Sequence, residues 1–387
     1  MPADGEAFQR WRLVRWFVSS ATFSVPQAAG PIAFSLLSLS LTGEAGHGAA
    51  IVLAMTLAQV AGAVPIARLG RGWPAATFVR LLVGIRTVAL VLIALLAAGG
   101  ASFPWLILAA LVGGSVNGAA HGYLRSVLNA LTPAGQLPRA LGVAATLNEL
   151  VFVLAPVAAS GLASVSPVFA ILALAGLGAV PALLVPQSGA APLSGVLSAG
   201  ASSVLTPSIL LWLLCAAAGG ATVAAIEIGA VALALRFDYE PGLAFLFTVP
   251  LCVASVAGGV WVSLRNRMAT RTAVLIQLSI MTLGAALVAV QQSVLTTVVG
   301  AVLVGFVLAP LGTYYSLVLD KLAPPQRRAE VFALLRTANA TGVIFASGIL
   351  TMASLSATLV GVAGLMFLAT ATVVFATCWR QPGLHQD

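Results

Sequence analysis

Residues 167–186 read PVFAILALAGLGAVPALLVP, twenty consecutive positions without one charged side chain. A helix needs about 20 apolar residues to cross the roughly 30 Å hydrocarbon layer of a bilayer. Only a helix or a closed barrel satisfies its backbone hydrogen bonds there, and this run is far too long for a barrel strand. The stretch therefore predicts a membrane-spanning helix.

Runs of the same kind fill most of the chain. Of its 387 residues, 60% are apolar and 7% are charged, and the mean hydropathy is +1.07, values that exceed what a soluble core needs. Twelve runs fit between the clusters of charged residues, so we predict an all-α integral membrane protein with twelve transmembrane helices. These predicted spans, numbered 1 to 12, are 17–41, 48–67, 76–98, 103–128, 138–161, 167–186, 208–235, 242–264, 273–291, 294–319, 330–353 and 357–378.

Basic residues separate by side of the membrane. A net charge of +8 could suggest a nucleic-acid partner, but the basic residues form no single patch, so no nucleic acid is expected. Of the basic residues outside the hydrophobic middles of the spans, all but Arg236 lie on one side, and the positive-inside rule makes that side and both chain termini cytoplasmic. The residues on that side are Arg10, Arg12, Arg15, Arg68, Arg71, Arg80, Arg139, Arg265, Arg267, Arg271, Lys321, Arg327, Arg328 and Arg380.

Composition also bears on location and cofactors. Seventeen Arg against one Lys, with abundant Ala and Gly, suggests a bacterium with GC-rich codons and hence a plasma membrane. Cys215, Cys252 and Cys378 all fall within predicted spans, and no metal-ligand spacing occurs. No disulfide framework, metal or other cofactor is expected.

The chain divides into two similar halves. A linker at 187–207, rich in Ser, Gly, Ala and Pro, separates an N-terminal bundle at 1–186 from a C-terminal bundle at 208–387. Five patterns recur at a spacing of about 190 residues, and because they include a polar loop and an Asn, chance similarity between apolar helices is the weaker explanation. We predict two pseudo-symmetric six-helix bundles, a design that lets many transporters open one central site to either side. The patterns are Leu111-Val112-Gly113, Tyr123, Leu131-Thr132-Pro133, Arg139-Ala140 and Thr146-Leu147-Asn148, which recur as Leu303-Val304-Gly305, Tyr315, Leu322-Ala323-Pro324, Arg328-Ala329 and Thr337-Ala338-Asn339.

With these features the chain resembles the major facilitator superfamily over essentially its whole length. In that family the loop between the second and third helices usually reads Gly-x-x-x-Asp-Arg-x-Gly-Arg-Arg, and Arg68-Leu69-Gly70-Arg71 matches its second half. Ala63 and Ala67 stand in place of the first Gly and the Asp, so this loop supplies no acid for a gating ion pair. The resemblance implies that Arg68, Gly70 and Arg71 form a cytoplasmic gating loop.

Span 5 is similar to that of the family's drug–proton antiporters. Those proteins carry a Gly-Pro pair followed by small residues, and here Ala155-Pro156 precedes a run of small side chains at 158–161. This partial match favours export.

Ionisable residues inside the spans are the candidates for coupling. A charge at the bilayer centre costs about 2.5–3.5 kcal/mol on insertion scales, so each needs a partner, a water path or a function. Glu149 lies eleven residues past Pro138, about 16 Å along a helix and near the midplane, and is the candidate for carrying the proton. Asn117, His121 and Arg125 recur every four residues along one helix face, and either His121 or Arg125 could pair with Glu149. The alternative is a buried ion pair that only joins two helices.

The resemblance also implies a substrate cavity. In the family, helices 1, 4, 7 and 10 line it, which would bring Gln27, Asn117, Glu227 and one of Tyr314 and Tyr315 to the substrate. The alternative for each is an interhelical hydrogen bond averaging only about 0.6 kcal/mol.

Four further polar residues are assigned to structure. Asn148 and Asn339 are equivalent in the repeat and are expected in helix packing or gating. Arg86 and Arg336 are expected toward the inner side of the membrane, where long side chains can reach the interface.

Several functional classes are excluded or disfavoured. The only Lys, Lys321, follows Asp320 rather than the Gly of a phosphate-binding loop, so this chain alone does not use ATP. Because there is no Gly-x-Ser-x-Gly, no His-Glu-x-x-His and only three His, we expect no enzyme. A channel is disfavoured since no pore loop or ring of like charges occurs.

The remaining hypothesis is a secondary transporter. We predict proton-coupled efflux of small organic or drug-like molecules by alternating access, in a chain that works as a monomer in the lipid bilayer. A proton-coupled importer of a small metabolite is the second hypothesis. A non-transporting scaffold or sensor of the same fold also stays open.

Overall fold

A computed structural model describes residues 2–42, 46–133, 135–187, 205–239, 243 and 245–379. Over these ranges the chain is α-helical with short 3-10 turns and contains no strand. Twelve helical segments of this part are long and apolar enough to cross a membrane, which confirms the predicted fold class. The helices are α1 (Pro2–Thr42), α2 (Gly46–Leu69), α3 (Ala75–Ala98), α4 (Phe103–Ser115), α5 (Asn117–Leu131), α6 (Leu137–Val165), α7 (Pro167–Leu184), α8 (Pro207–Arg236), α9 (Phe245–Arg265), α10 (Arg271–Val290), α11 (Val294–Leu322), α12 (Arg328–Met352) and α13 (Leu355–Trp379).

Some sequence predictions fall outside the described residues. These are most of the linker at 187–207 and the C-terminal Arg380. The side of the membrane on which each terminus lies stays a prediction.

The first helix is longer than its predicted span, because its polar start is tied to other helices. α1 begins at Pro2. The amide of Gln9 donates to the backbone oxygen of Leu131 at 3.3 Å, and Arg15 Nε donates to that of Leu184 at 3.2 Å. Carbonyls at the ends of α5 and α7 lack partners within their own helices, and these side chains satisfy them.

Span 4 is interrupted, a feature that the sequence pattern did not predict. Val116 separates α4 from α5 with backbone angles φ −83° and ψ −16°. The break lies where α2 and α4 touch backbone to backbone, since a Cβ on Gly62 would lie 2.3 Å from the Ser115 oxygen. A Cβ on Gly114 would lie 2.2 Å from the Met55 oxygen. Small residues at such crossings let membrane helices approach closely.

The same kind of contact joins α9 and α11. A Cβ on Gly258 would lie 2.2 Å from the Phe306 oxygen, and one on Gly305 would lie 2.2 Å from the Leu251 oxygen. Both halves of the sequence therefore use paired glycines to pack a helix against its second neighbour along the chain.

The described chain forms two compact units, each of which includes a short piece of the other half of the sequence. Unit 1 comprises Met1–Leu137, Leu147–Ser202 and Ala323–Thr337, and unit 2 comprises Pro138–Thr146, Ser203–Leu322 and Ala338–Asp387. The predicted bundle boundaries at 1–186 and 208–387 stay a prediction.

In unit 1, α3 occupies a central place. It packs against α4, α5 and α7, while α1 packs against α2 and α7. Phe34, Ile51, Ile93 and Ile171 are almost fully buried among these helices. One face of α3, which includes Leu90 and Ile93, is therefore enclosed by the other helices, whereas Val88 on another face is 68% exposed.

Candidate functional site

Four polar side chains meet inside unit 1. We call Gln27, Gln59, Arg86 and Asn117 the Arg86 cluster; they come from α1, α2, α3 and α5. Arg86 Nη1 donates to Asn117 Oδ1 at 3.0 Å, and Asn117 Nδ2 donates to Gln59 Oε1 at 2.6 Å and to Gln27 Oε1 at 3.4 Å. Two of the predicted cavity residues, Gln27 and Asn117, are thus in contact.

The position predicted for Arg86, the centre of this cluster, was wrong. Arg86 was expected to reach the interface, yet its residue is only 2% exposed. Nη1 donates to the Phe23 oxygen at 3.0 Å, Nη2 donates to the Gly178 oxygen at 2.8 Å, and the guanidinium carbon lies 4.2 Å from the centre of the Phe23 ring. Neutral acceptors and an aromatic face hold the cation inside the protein.

A cavity of about 50 Å³ lies beside the Arg86 cluster. Pockets that hold drug-sized ligands measure about 300–1,000 Å³, so this space suits one functional group of a ligand. The cavity is lined by the cluster itself and by Pro26, Gly30, Pro31, Phe34, Val52, Met55, Thr56 and Gly114.

The other two residues of the predicted polar stripe follow on α5. His121 lies with its ring centre 6.3 Å from that of Phe23, and Arg125 is buried with its guanidinium carbon 5.5 Å from the Phe332 ring centre. Asn117, His121 and Arg125 lie on one continuous helix; the first two contact α1, whereas Arg125 lies beside Phe332 of α12.

Glu149 lies on α6 and is half-buried in unit 1. Its neighbour Asn148 accepts a hydrogen bond from Ser24 Oγ at 2.9 Å, which joins α6 to α1. The role of Glu149 in proton transfer, and its pairing with His121 or Arg125, stay predictions.

The remaining predicted cavity residues lie in unit 2. Tyr314 and Tyr315 are buried beside Trp212, with ring centres 5.1 Å and 6.0 Å from its own. Glu227 is exposed on α8. A Cβ on Gly220 would lie 3.0 Å from the backbone oxygen of Asn339, so Asn339 lies at the crossing of α8 and α12.

A carboxylate binds the predicted gating loop. Glu330 at the start of α12 accepts two hydrogen bonds from Arg68, at 3.0 and 2.9 Å, and one from Arg71 at 2.5 Å. Arg327 donates two more at 3.1 and 3.2 Å. The Glu330 side chain is only 2% exposed, and the first turn of a helix favours a negative charge. We call these four residues the Glu330 cluster, and all of them belong to unit 1 or its Ala323–Thr337 piece.

Gly70 lets this loop pack closely. A Cβ there would lie 2.4 Å from the Phe78 ring and 2.6 Å from the Tyr123 hydroxyl. Tyr123 donates from that hydroxyl to the Ala67 oxygen at 2.8 Å, which satisfies a carbonyl at the end of α2.

Sequence reasoning missed Glu330, Gln59 and the burial of Arg86. A signal existed for two of them. Arg86 stands at the middle of α3, Ala75–Ala98, about 15 Å from either interface of a roughly 30 Å layer. Glu330 is the acid in the first turn after a basic loop, while Gln59 carries no distinguishing pattern.

Comparison with known proteins agrees with this architecture. The family model described as Major Facilitator Superfamily matches residues 16–347. No curated protein matches the chain in sequence.

Solved structures with similar folds come from several transporters. A bacterial homologue of the iron transporter ferroportin, in an outward-facing state, has a TM-score of 0.78 at 14% identity, covering 96% of this chain and 99% of its own. The E. coli fucose–proton symporter FucP has 0.76 at 11% identity, covering 94% and 98%. The human organic anion transporter MFSD10 (TETRAN) has 0.71 at 15% identity, covering 94% and 98%.

At these identities the solved structures establish the fold alone, whereas the family model spans most of the sequence. The chain therefore belongs to the Major Facilitator Superfamily, whose members are transporters.

Proposed function

We propose that this protein is a secondary active transporter that exports small, partly apolar organic molecules in exchange for protons. The observation that carries the proposal is the Arg86 cluster with its adjoining cavity, a set of buried polar groups inside membrane spans. Such groups are costly in a membrane and usually mark a substrate or ion pathway.

The cavity is lined by both polar and apolar side chains, and an organic substrate needs both. Amide groups of Gln27, Gln59 and Asn117 offer hydrogen bonds, while Phe34 and Met55 offer apolar contact. A few polar groups among apolar ones orient a ligand without binding it too tightly to leave.

Glu149 is the group that we propose carries the proton. It is half-buried on α6, and it follows Asn148, whose bond to Ser24 couples α6 to α1. A carboxyl in this position can take up a proton when water reaches it from one side and release it when water reaches it from the other.

The Glu330 cluster is the proposed gate. Three charge-assisted hydrogen bonds, from Arg68 at the end of α2 and Arg71 in the turn after it, reach Glu330 at the start of α12, and Arg327 donates two more from just before that helix. Arg68 and Arg71 are half exposed, so water can replace Glu330 when the contact opens. An interaction that is strong yet reversible suits a switch between two states.

One observation bears on the direction of transport and another on its coupling. The Ala155-Pro156 pair and the small residues after it resemble the pattern of drug–proton antiporters, which favours export. Proton coupling appears in the names of two structural neighbours, the fucose–proton symporter FucP and the proton–xylose symporter XylE, which are symporters rather than exchangers.

The test is proton flux in proteoliposomes that contain the purified protein. A panel of lipophilic ions and small metabolites is added, and the internal pH is followed for wild type and Glu149→Gln. Asp238→Asn is the matched control, because it also removes one carboxylate but lies on an exposed turn with φ 59°, which Asn adopts readily.

We expect substrate-driven proton movement in wild type and in Asp238→Asn, and its loss in Glu149→Gln. The sign of the movement distinguishes exchange from import with protons. A wild-type protein that moves substrate with no proton movement would contradict the coupling, and one that moves no compound of the panel would contradict transport of this substrate class.

A further inference from the structure

The hydrogen bonds of the Arg86 cluster fix the direction of every amide in it. Because Arg86 can only donate, Asn117 must present Oδ1 to it, and its Nδ2 then faces the Gln59 oxygen. The Nε2 amide group of Gln59 is left over as a donor. This chain of bonds therefore leaves donors, rather than acceptors, without partners.

Two hydrogen-bond donors of the cluster are buried and, among the described residues, unpaired. In the part of the chain that the structure describes, neither Arg86 Nε nor Gln59 Nε2 has a hydrogen-bond partner. Arg86 is 2% exposed and Gln59 is 4% exposed, and both line the cavity. A buried donor without an acceptor destabilises the protein, so these two donors favour a ligand that accepts hydrogen bonds from them.

The positive charge of Arg86 also favours an acceptor as the missing partner. The three hydrogen bonds that Arg86 makes go to two backbone carbonyls and an amide oxygen, all of them neutral. A buried cation is stabilised most by an anion that also accepts hydrogen bonds from it. Among the residues that the structure describes, none supplies this cation with a negatively charged acceptor.

We infer that the cavity beside Arg86 binds the carboxylate of an organic anion, with Arg86 and Gln59 as its donors. The inference rests on the proposed transport function and narrows its substrate class to molecules that carry an acid group. About 50 Å³ accommodates a carboxylate, and the apolar side chains of Phe34, Val52 and Met55 provide contact for the carbon next to it. Inorganic anions such as chloride or phosphate lack the apolar part that these walls would cover.

Binding rather than transport is the direct test. Purified protein in detergent is titrated by calorimetry with hexanoate and benzoate, with the neutral hexanamide and benzamide, and with chloride and phosphate. Thermal unfolding is recorded in parallel. In wild type we expect each carboxylate to bind at least tenfold more tightly than its amide and to raise the unfolding temperature.

Two variants test whether the carboxylate binds at Arg86 and Gln59. Arg86→Gln removes the charge and should abolish the preference for carboxylate over amide. Gln59→Glu keeps the oxygen that accepts from Asn117 and places a carboxylate near Arg86. Because the new carboxylate pairs with Arg86, this variant should fold at least as stably as wild type. Because it also competes with the ligand for Arg86, the variant should bind hexanoate and benzoate at least tenfold more weakly. Gln291→Glu is the matched control, because it makes the same change and keeps the oxygen that accepts from Ser356 Oγ at 3.0 Å; its binding should equal that of wild type.

Several results would overturn the inference. These are equal binding of acids and amides, binding of chloride or phosphate without binding of either carboxylate, no carboxylate binding in wild type, or unchanged binding in Gln59→Glu. Carboxylate binding without flux in proteoliposomes would instead contradict the proposed transport, and flux of other compounds without carboxylate binding would contradict only this inference.

Discussion

Removal of the Glu330 carboxylate is the sharpest perturbation of the proposed gate. In Glu330→Gln the side chain keeps its size but loses its charge, and three arginines lose their common partner. The residue lies in the first turn of α12, so the variant also removes a negative charge that the helix dipole favours.

The expected magnitude follows from the exposure of the partners. Breaking a buried ion pair costs about 3–5 kcal/mol. The Arg68 and Arg71 side chains are 54% and 43% exposed, so water recovers part of that loss, whereas Arg327 is 20% exposed. We therefore expect about 2–3 kcal/mol, which is roughly a 30- to 150-fold rise in the equilibrium constant for opening this contact.

Alkylation of a buried reporter measures that opening. Val331 is 0% exposed, so Val331→Cys in a chain whose own three cysteines are replaced by Ser should react with a maleimide only when the start of α12 separates from its neighbours. Glu330→Gln should raise the labelling rate by the same 30- to 150-fold, and Asp238→Asn should leave it unchanged. A rate in Glu330→Gln equal to that of its parent would refute the idea that this cluster holds the contact closed.

Two further predictions concern packing. Gly178→Ala should lower the unfolding temperature, because its Cβ would lie 2.6 Å from Pro26 Cγ and 3.2 Å from Arg86 Nη2, and such overpacking costs about 1–3 kcal/mol. Gly84→Ala is the control, because its Cβ meets nothing within 4 Å, and it should leave the unfolding temperature unchanged. Equal unfolding temperatures for the two variants would contradict this packing. Trp212→Ala should lower the stability by less than the roughly 3–5 kcal/mol lost with a fully buried Trp, because the half-buried ring packs edge-on against Tyr314, and a stability near that of wild type would show that this aromatic contact is dispensable.

Parts of the site could be predicted from the sequence, and the parts that could not share a cause. Gln27 and Asn117 were both predicted to line a cavity, and the structure brings them together because their helices are neighbours. Gln59 was missed because nothing in its local sequence distinguishes it from an amide that faces another helix. Partners 58 residues apart, such as Gln59 and Asn117, are chosen by helix packing rather than by spacing along the chain.

The sequence by itself determined the twelve membrane spans, because the length of an apolar run has a direct physical meaning in a layer of fixed thickness. Only the tertiary structure decided what the charged residues do. Arg86 stays inside since carbonyls of α1 and α7 accept its hydrogen bonds. Glu330 supplies the acid that position 67 lacks, and its partner Arg68 lies 262 residues away along the chain. Burial and pairing are properties of the surroundings of a side chain, and in a helical membrane protein other helices provide those surroundings.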